Sequence, residues 1–269
     1  MPRDLGDVLD FFLPESQPSI TKRTGSLVTA VKTPTQRSAS APLPVLALPM
    51  DPGDVLRAAL AWNLTVEIAR LGGQATLVTR HDRHASPVWP EPGRGPLGAE
   101  LVQPDVEGLD GLLEAASEAA NPRGGTSREG GLVLLCAPLP WLRRPSGLDP
   151  ALRWALLFSR TEPRELLETY ALIKALLQRA DPPRVGLTIH AASSIDAAKR
   201  AFSRVADVSH RHLGRSPVSY GLLVDDLHVY RAIVARRPIG LEHPQSPAAR
   251  ALRDVAQLLL TDARNESLG

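Results

Sequence analysis

From residue 44 onward, short apolar runs alternate with longer stretches of helical period, and this alternation constrains the fold more than any other feature. Apolar runs at 45–48, 75–79, 132–136, 154–159, 184–190 and 218–224 read as buried strands. Between and after them, 54–71, 105–119, 162–179, 194–213, 227–235 and 247–262 carry the spacing of helices. Strands separated by helix-length segments pair in parallel, because a parallel return needs a crossover. The expected class is therefore α/β, a mostly parallel, doubly wound sheet flanked by helices. Gly72-Gly73 supplies the helix stop after the first of these helices. Residues 82–98 and 138–150, rich in Pro, Gly, His and Arg, read as loops. With 43% hydrophobic residues but only 4% aromatic, the core must be built from Leu, Val and Ala. No internal repeat is present.

The region before residue 44 has a different character. Leu5, Val8, Leu9 and Phe12 follow i, i+3, i+4, i+7 spacing, and Phe11 and Leu13 widen the same apolar face before Pro14 ends it. Residues 14–43 are dominated by Ser, Thr and Pro, a composition that cannot bury a core. The division expected is a docking helix at 1–13, a disordered linker at 14–43, the α/β domain at 44–262 and a short tail at 263–269. A short amphipathic segment on a long tether suits helix-in-groove recognition of a protein partner through Leu5, Val8, Leu9, Phe11 and Phe12. The competing reading is that the segment folds back onto its own domain.

Several function classes are disfavoured. One cysteine, Cys136, leaves no internal disulfide and fits a reducing cytoplasm. The acidic start is unlike a signal peptide, and no window approaches the apolar length of a membrane span. The net charge of +2 does not by itself call for nucleic acid, and the basic residues of the linker, Lys22, Arg23, Lys32 and Arg37, are sparse. His81 with His84, and His210 with His212, fall short of the three or four convergent ligands of a zinc site, so no metal is expected. Cys136, at the end of an apolar run, reads as a small core residue.

Three downstream segments carry a family likeness. The run Glu162-Pro163-Arg164-Glu165-Leu166-Leu167-Glu168-Thr169-Tyr170-Ala171-Leu172-Ile173-Lys174 resembles the helix "E-P-T-x-L-x-D-A-Y-A-L-I-K" of MinD/ParA-type ATPases, and in particular of the flagellar-number regulators FlhG and FleN. Tyr220-Gly221-Leu222-Leu223-Val224-Asp225-Asp226 and Arg236-Arg237-Pro238-Ile239 are similar to a later pair of segments in that family, and Ser246-Pro247-Ala248-Ala249-Arg250-Ala251-Leu252 resembles its last helix. Asn63, Leu64, Ile68, Ala69, Arg70, Leu71 and Gly72 resemble its first helix, which in the family follows a phosphate-binding loop "K-G-G-V-G-K-T-T".

What the resemblance implies at the nucleotide site is a set of departures. A phosphate-binding loop uses glycines so that backbone N–H groups can face phosphate at a helix N-terminus, lysines for charge and a hydroxyl for magnesium. Counting back from Asn63, those positions carry Pro52, Gly53, Asp54, Val55, Leu56, Arg57, Ala58 and Ala59. Pro52 and Arg57 replace the two lysines, Asp54 and Leu56 replace glycines, and Ala58 replaces the magnesium-binding hydroxyl. His81 stands in the segment that should supply a water-activating carboxylate, Cys136 opens the segment that should read "D-T-G-A-G", and His190 takes the place of an adenine-reading asparagine. The resemblance therefore implies a MinD-like fold with a degenerate site, no catalytic residue and no bound ATP or magnesium. The expected function is that of a non-catalytic adaptor or regulator, with polar positioning, flagellar or division machinery as the candidate settings, able to form a homo- or hetero-dimer. The alternatives are a working ATPase switch with an atypical site and, more remotely, a nucleoid-associated module. The family's membrane-anchoring terminal helix has no counterpart in the short acidic end 261–269.

Overall fold

The computed structural model describes residues 42–51, 53–81, 89–121, 130–142 and 152–267. Eight strands form one sheet: β1 (Val45–Pro49), β2 (Gln74–Thr79), β3 (Gly93–Arg94), β4 (Glu100–Val102), β5 (Gly131–Ala137), β6 (Trp154–Ser159), β7 (Arg184–Ala192) and β8 (Val218–Val224). Their order across the sheet is β3-β4-β2-β5-β1-β6-β7-β8. Every pairing is parallel except the short β3–β4 edge. The helices are α1 (Val55–Arg70), α2 (Leu109–Ala120), α3 (Leu139–Leu142), α4 (Pro163–Leu177), α5 (Ile195–Leu213), α6 (Leu227–Ala235), α7 (Ile239–Glu242) and α8 (Pro247–Ser267).

Alternation along the strands sends side chains into two cores. Leu46, Leu48, Leu132, Leu134, Trp154 and Leu156 face α1 and α8. Their neighbours Ala47, Val133, Leu135, Ala155 and Leu157 face α2, α4 and α5. A strand buried on both faces has no polar alternation to show, which is why these segments read as continuous apolar runs. Each fully buried Leu contributes roughly 1.5–3 kcal/mol, so the many Leu side chains at 0–1% exposure carry the fold despite the scarcity of aromatics. The aromatic rings of Trp154 and Tyr220 meet at a 46° tilt in the first core, with centroids 5.9 Å apart.

The expected elements are present with four adjustments. The loop expected at 82–98 contains strand β3 and a 3-10 turn at Pro96–Gly98, and β4 follows it, because three residues are too few to show a period. The helix expected from 105 starts at Leu109, after Gly108. Helices α3 and α7, four residues each, fall in stretches whose proline content signals a loop. The last helix runs to Ser267, so most of the expected tail continues α8. The segment 1–13, the linker as far as residue 41, and Pro52 and His84 lie outside the described residues.

Candidate functional site

In open parallel sheets, ligands gather where the strands end at their carboxyl side and the order of connection reverses. Here that edge collects the loop between β1 and α1, the ends of β5, β6 and β7, and the loop after β8. Residues 50–54 join β1 to α1, and several backbone N–H groups of this stretch and of the start of α1 have acceptors within the protein. The N–H of Met50 donates to Ala137 O at 3.1 Å, that of Asp54 to Asp51 O at 3.0 Å, and that of Val55 to Gly53 O at 3.0 Å. Asp54 is the N-cap of α1: its Oδ1 accepts from the N–H of Arg57 at 2.9 Å. The N–H of Ala58 continues the helix by donating to Asp54 O. A helix N-terminus attracts anions through its unsatisfied N–H groups and dipole. On α1 that position holds the chain's own carboxylate.

Arg57 is the cation of this loop. Its Nη2 donates to Glu165 Oε2 at 2.8 Å, and its Nη1 lies 3.3 Å from Asp54 Oδ2. Glu165 sits in the first turn of α4, where a carboxylate also complements the helix dipole. Two carboxylates thus neutralise one guanidinium, while Arg57 Nε is buried without an acceptor.

His190 lies near the end of β7, 4% exposed, beside the edge of Phe158 at a ring separation of 6.3 Å. Burial, reinforced by the positive charges of Arg57 and Arg160, pushes its pKa down to about 3, so the imidazole is neutral at physiological pH. Its Nε2 has no hydrogen-bond partner. The next residue, Ala191, has φ of +51°, and the β7–β8 register slips on either side of His190, so the strand is bent at this point. His190 and Leu56 line one crevice with Leu60, Leu223, Val229, Leu252 and the acidic Asp225 and Asp226.

Of the residues singled out from sequence, Asp54, Leu56, Arg57 and His190 come together. Gly53 is exposed at the loop tip, and Ala58 is buried in the first turns of α1. Cys136 is paired across the sheet with Leu48, one residue before the end of β5, and burial pushes its thiol well above the usual range, which makes it a core residue. His81 is exposed beyond the end of β2, where its N–H donates to Pro104 O at 2.9 Å. His210 and His212 are exposed in the last turn of α5. Two residues of the cluster were not anticipated, Glu165 and Arg160. A half-buried arginine requires counter-charge, but nothing in the sequence indicates that the carboxylate comes from 108 residues downstream.

Asp226 was likewise missed as an organiser of this edge. Its Oδ1 accepts from the N–H of His228 at 2.9 Å, capping α6, and its Oδ2 from the N–H of Ala248 at 3.1 Å, at the start of α8. Burial works against its ionised form, but the hydrogen bonds from His228 and Ala248 outweigh it and hold the pKa below the usual value.

No family model matches the sequence, and a search of curated proteins finds no match. The fold does have counterparts among solved structures. The MinD cell division protein of Aquifex aeolicus is 17% identical, with a TM-score of 0.55 over 81% of this chain and 97% of that one. The cell division ATPase MinD of Pyrococcus furiosus is 14% identical, with a TM-score of 0.53 over 84% and 99% of the two chains. A ParA family ATPase from Chlorobium tepidum is 12% identical, with a TM-score of 0.52 over 81% and 99%. These identities speak for architecture, and on that basis the chain has the fold of the MinD/ParA P-loop ATPases.

Proposed function

We propose that this protein is a non-catalytic member of the MinD/ParA fold, a pseudo-ATPase nearest in character to the FlhG-type regulators, that works as a protein-binding adaptor. The observation that carries this reading is the self-satisfied start of α1. The N–H groups of Asp54, Val55 and Arg57 all have acceptors close by, and the Asp54 carboxylate accepts at the helix N-terminus, the kind of position that attracts an anion. Phosphoryl transfer rests on positioned cations and metal. At this site the residues do not fit that cargo: Arg57 is neutralised by Asp54 and Glu165, and Ala58 offers no hydroxyl to a metal.

Equilibrium binding of a labelled ATP analogue with magnesium, run beside a phosphate-release assay, tests the reading. Neither binding in the micromolar range nor turnover is expected. Turnover that disappears in Arg57→Ala would instead establish an ATPase switch with an atypical site.

On this reading the protein acts through contact with other proteins. One solved counterpart, MinD of Aquifex aeolicus, is found in a complex with MinC. For this chain the adaptor contact is assigned to segment 4–13, on the strength of its Leu5, Val8, Leu9 and Phe12 spacing. Capture of partners by the full chain and by Leu9→Asp checks it. A specific partner lost in the variant supports the assignment, and identical captures refute it.

A further inference from the structure

Helix α6 presents apolar side chains to solvent as well as to the core. Val229 and Ala232 are buried in the first core. Leu227, Tyr230 and Val234 are 61%, 42% and 86% exposed. Their i, i+3, i+7 spacing places them in one line along the outward side of the helix. Tyr230 also borders the crevice with Leu56, Leu223 and Leu252, which extends the apolar surface beyond the helix itself. Single exposed apolar residues are ordinary, but an ordered row on one helix face marks a contact surface.

We propose that this row is the face of a homodimer, with α6 of one copy packed antiparallel on α6 of a second. The dimer is independent of the adaptor reading. A face that meets its own copy across a two-fold axis must complement itself. An axis between Tyr230 and Arg231 achieves this for the row. It sets Leu227 against the partner's Val234 at each end, and Tyr230 against the partner's Tyr230 in the middle. A row of three side chains is smaller than the roughly 800 Å² per partner of a standard interface, so the dimer is weak and concentration-dependent.

The charges of α6 and its flanks fit the same axis. Asp226 takes no part, because its side chain is buried and accepts from the N–H groups of His228 and Ala248. The His228 ring is held by Asp226 at 2.8 Å, and Arg237 by Glu242 at 3.0 Å. The exposed charges that remain are Arg231, Arg236 and Asp225, the last accepting from the Tyr230 hydroxyl at 3.4 Å. The axis that pairs Leu227 with Val234 also pairs Asp225 with Arg236, so opposite charges close both ends of the row. Antiparallel packing also sets the positive start of each helix dipole beside the negative end of the other. Arg231 is the one unfavourable element, since it lies near the axis and meets its own copy. Its long stem lets the guanidinium turn outward into water.

Sedimentation of the full-length protein without nucleotide, across a wide range of protein concentration, tests the proposal. A reversible monomer–dimer equilibrium is expected. Val234→Asp should weaken it about tenfold or more, because it sets a carboxylate against the partner's Leu227. Arg236→Asp should weaken it about threefold or more by facing the partner's Asp225 with like charge. Asp225→Arg combined with Arg236→Asp should restore it, since the exchange re-forms both end pairs. Val234 is so exposed that its substitution should leave the melting temperature of the monomer unchanged. Should the melting temperature fall, the charge exchange carries the test alone. Weakening in Arg236→Asp with recovery in the double variant supports the dimer. A monomer at every concentration leaves the row to another occupant and overturns the proposal. A dimer that forms only with ATP, a dimer unmoved by Val234→Asp, or a double variant no tighter than Arg236→Asp overturns it as well.

Discussion

Arg57 and Glu165, 108 residues apart in sequence, meet at 2.8 Å across the carboxyl edge of the sheet. The pair ties the start of α1 to the start of α4, and with Asp54 it gives this cluster of three side chains a net charge of −1. Removing both carboxylates should reverse that balance. Asp54→Ala with Glu165→Gln frees Arg57 and the N–H of residue 57 together. The double variant is expected to gain weak binding of pyrophosphate, seen as a rise in melting temperature with added ligand, while the parent protein shows none. The loss of the Asp54 cap alone should cost about 1 kcal/mol in denaturant unfolding. Anion binding equal in both proteins would show that the carboxylates do not guard the site.

His190 makes folding sensitive to acid. Its folded pKa of about 3 lies below the unfolded value near 6.5, so between those values the unfolded chain binds the extra proton. The contribution of this group to stability is therefore complete above about pH 6.5 and is lost progressively as pH falls towards 3. His190→Asn, which does not titrate, is expected to flatten the difference between unfolding curves at pH 7 and pH 5. Parallel loss of stability in parent and variant would assign the acid sensitivity to other groups.

The sheet was legible because its central strands are buried on both faces, and runs such as Leu132 to Cys136 admit little else. Strands β3 and β4, of two and three residues, gave no such signal, since edge pairing is decided by neighbours rather than by local pattern. At the site, the sequence singled out Asp54 and Arg57 as departures from a phosphate-binding loop, and the cap that joins them is seen only in the structure. What stayed hidden was the long-range closure of that chemistry. Glu165 is one of several acidic residues in the first turns of α4, and only the packing of α4 against β6 selects it. Asp226 appeared only within a family-like run, and its contacts with His228 and Ala248 depend on where α6 and α8 begin.

Asn63 shows why a residue can carry family likeness without touching a ligand. It is buried in α1, where its Nδ2 donates to Ala59 O at 2.7 Å and its Oδ1 accepts from the N–H of Ile239 at 2.7 Å. The side chain thereby fixes the start of α7 against α1. Asn63→Leu strands the Ile239 N–H inside the protein, and such an orphaned donor costs about 1–3 kcal/mol. Unfolding in denaturant should register that loss, with faster proteolysis around 236–243. A cost below about 0.5 kcal/mol, the scale of a neutral surface change, would mean that α7 holds its position by other contacts.

Asp226 is the joint between the last two long helices, and its removal should be felt at both. Asp226→Ala deletes the acceptor for His228 N–H on α6 and for Ala248 N–H on α8. One cap is worth about 1 kcal/mol. With two caps lost, a destabilisation of about 2 kcal/mol is expected. Asp226→Asn keeps an acceptor but not the charge, and should recover part of that loss at neutral pH. Because the hydrogen bonds hold the Asp226 pKa below its ordinary value, the carboxylate stabilises the fold above the unfolded pKa near 3.8 and loses that advantage as pH falls below it. The gap between the parent and Asp226→Asn should therefore close in acid. A gap that persists there would mean that geometry, rather than charge, is what Asp226 contributes.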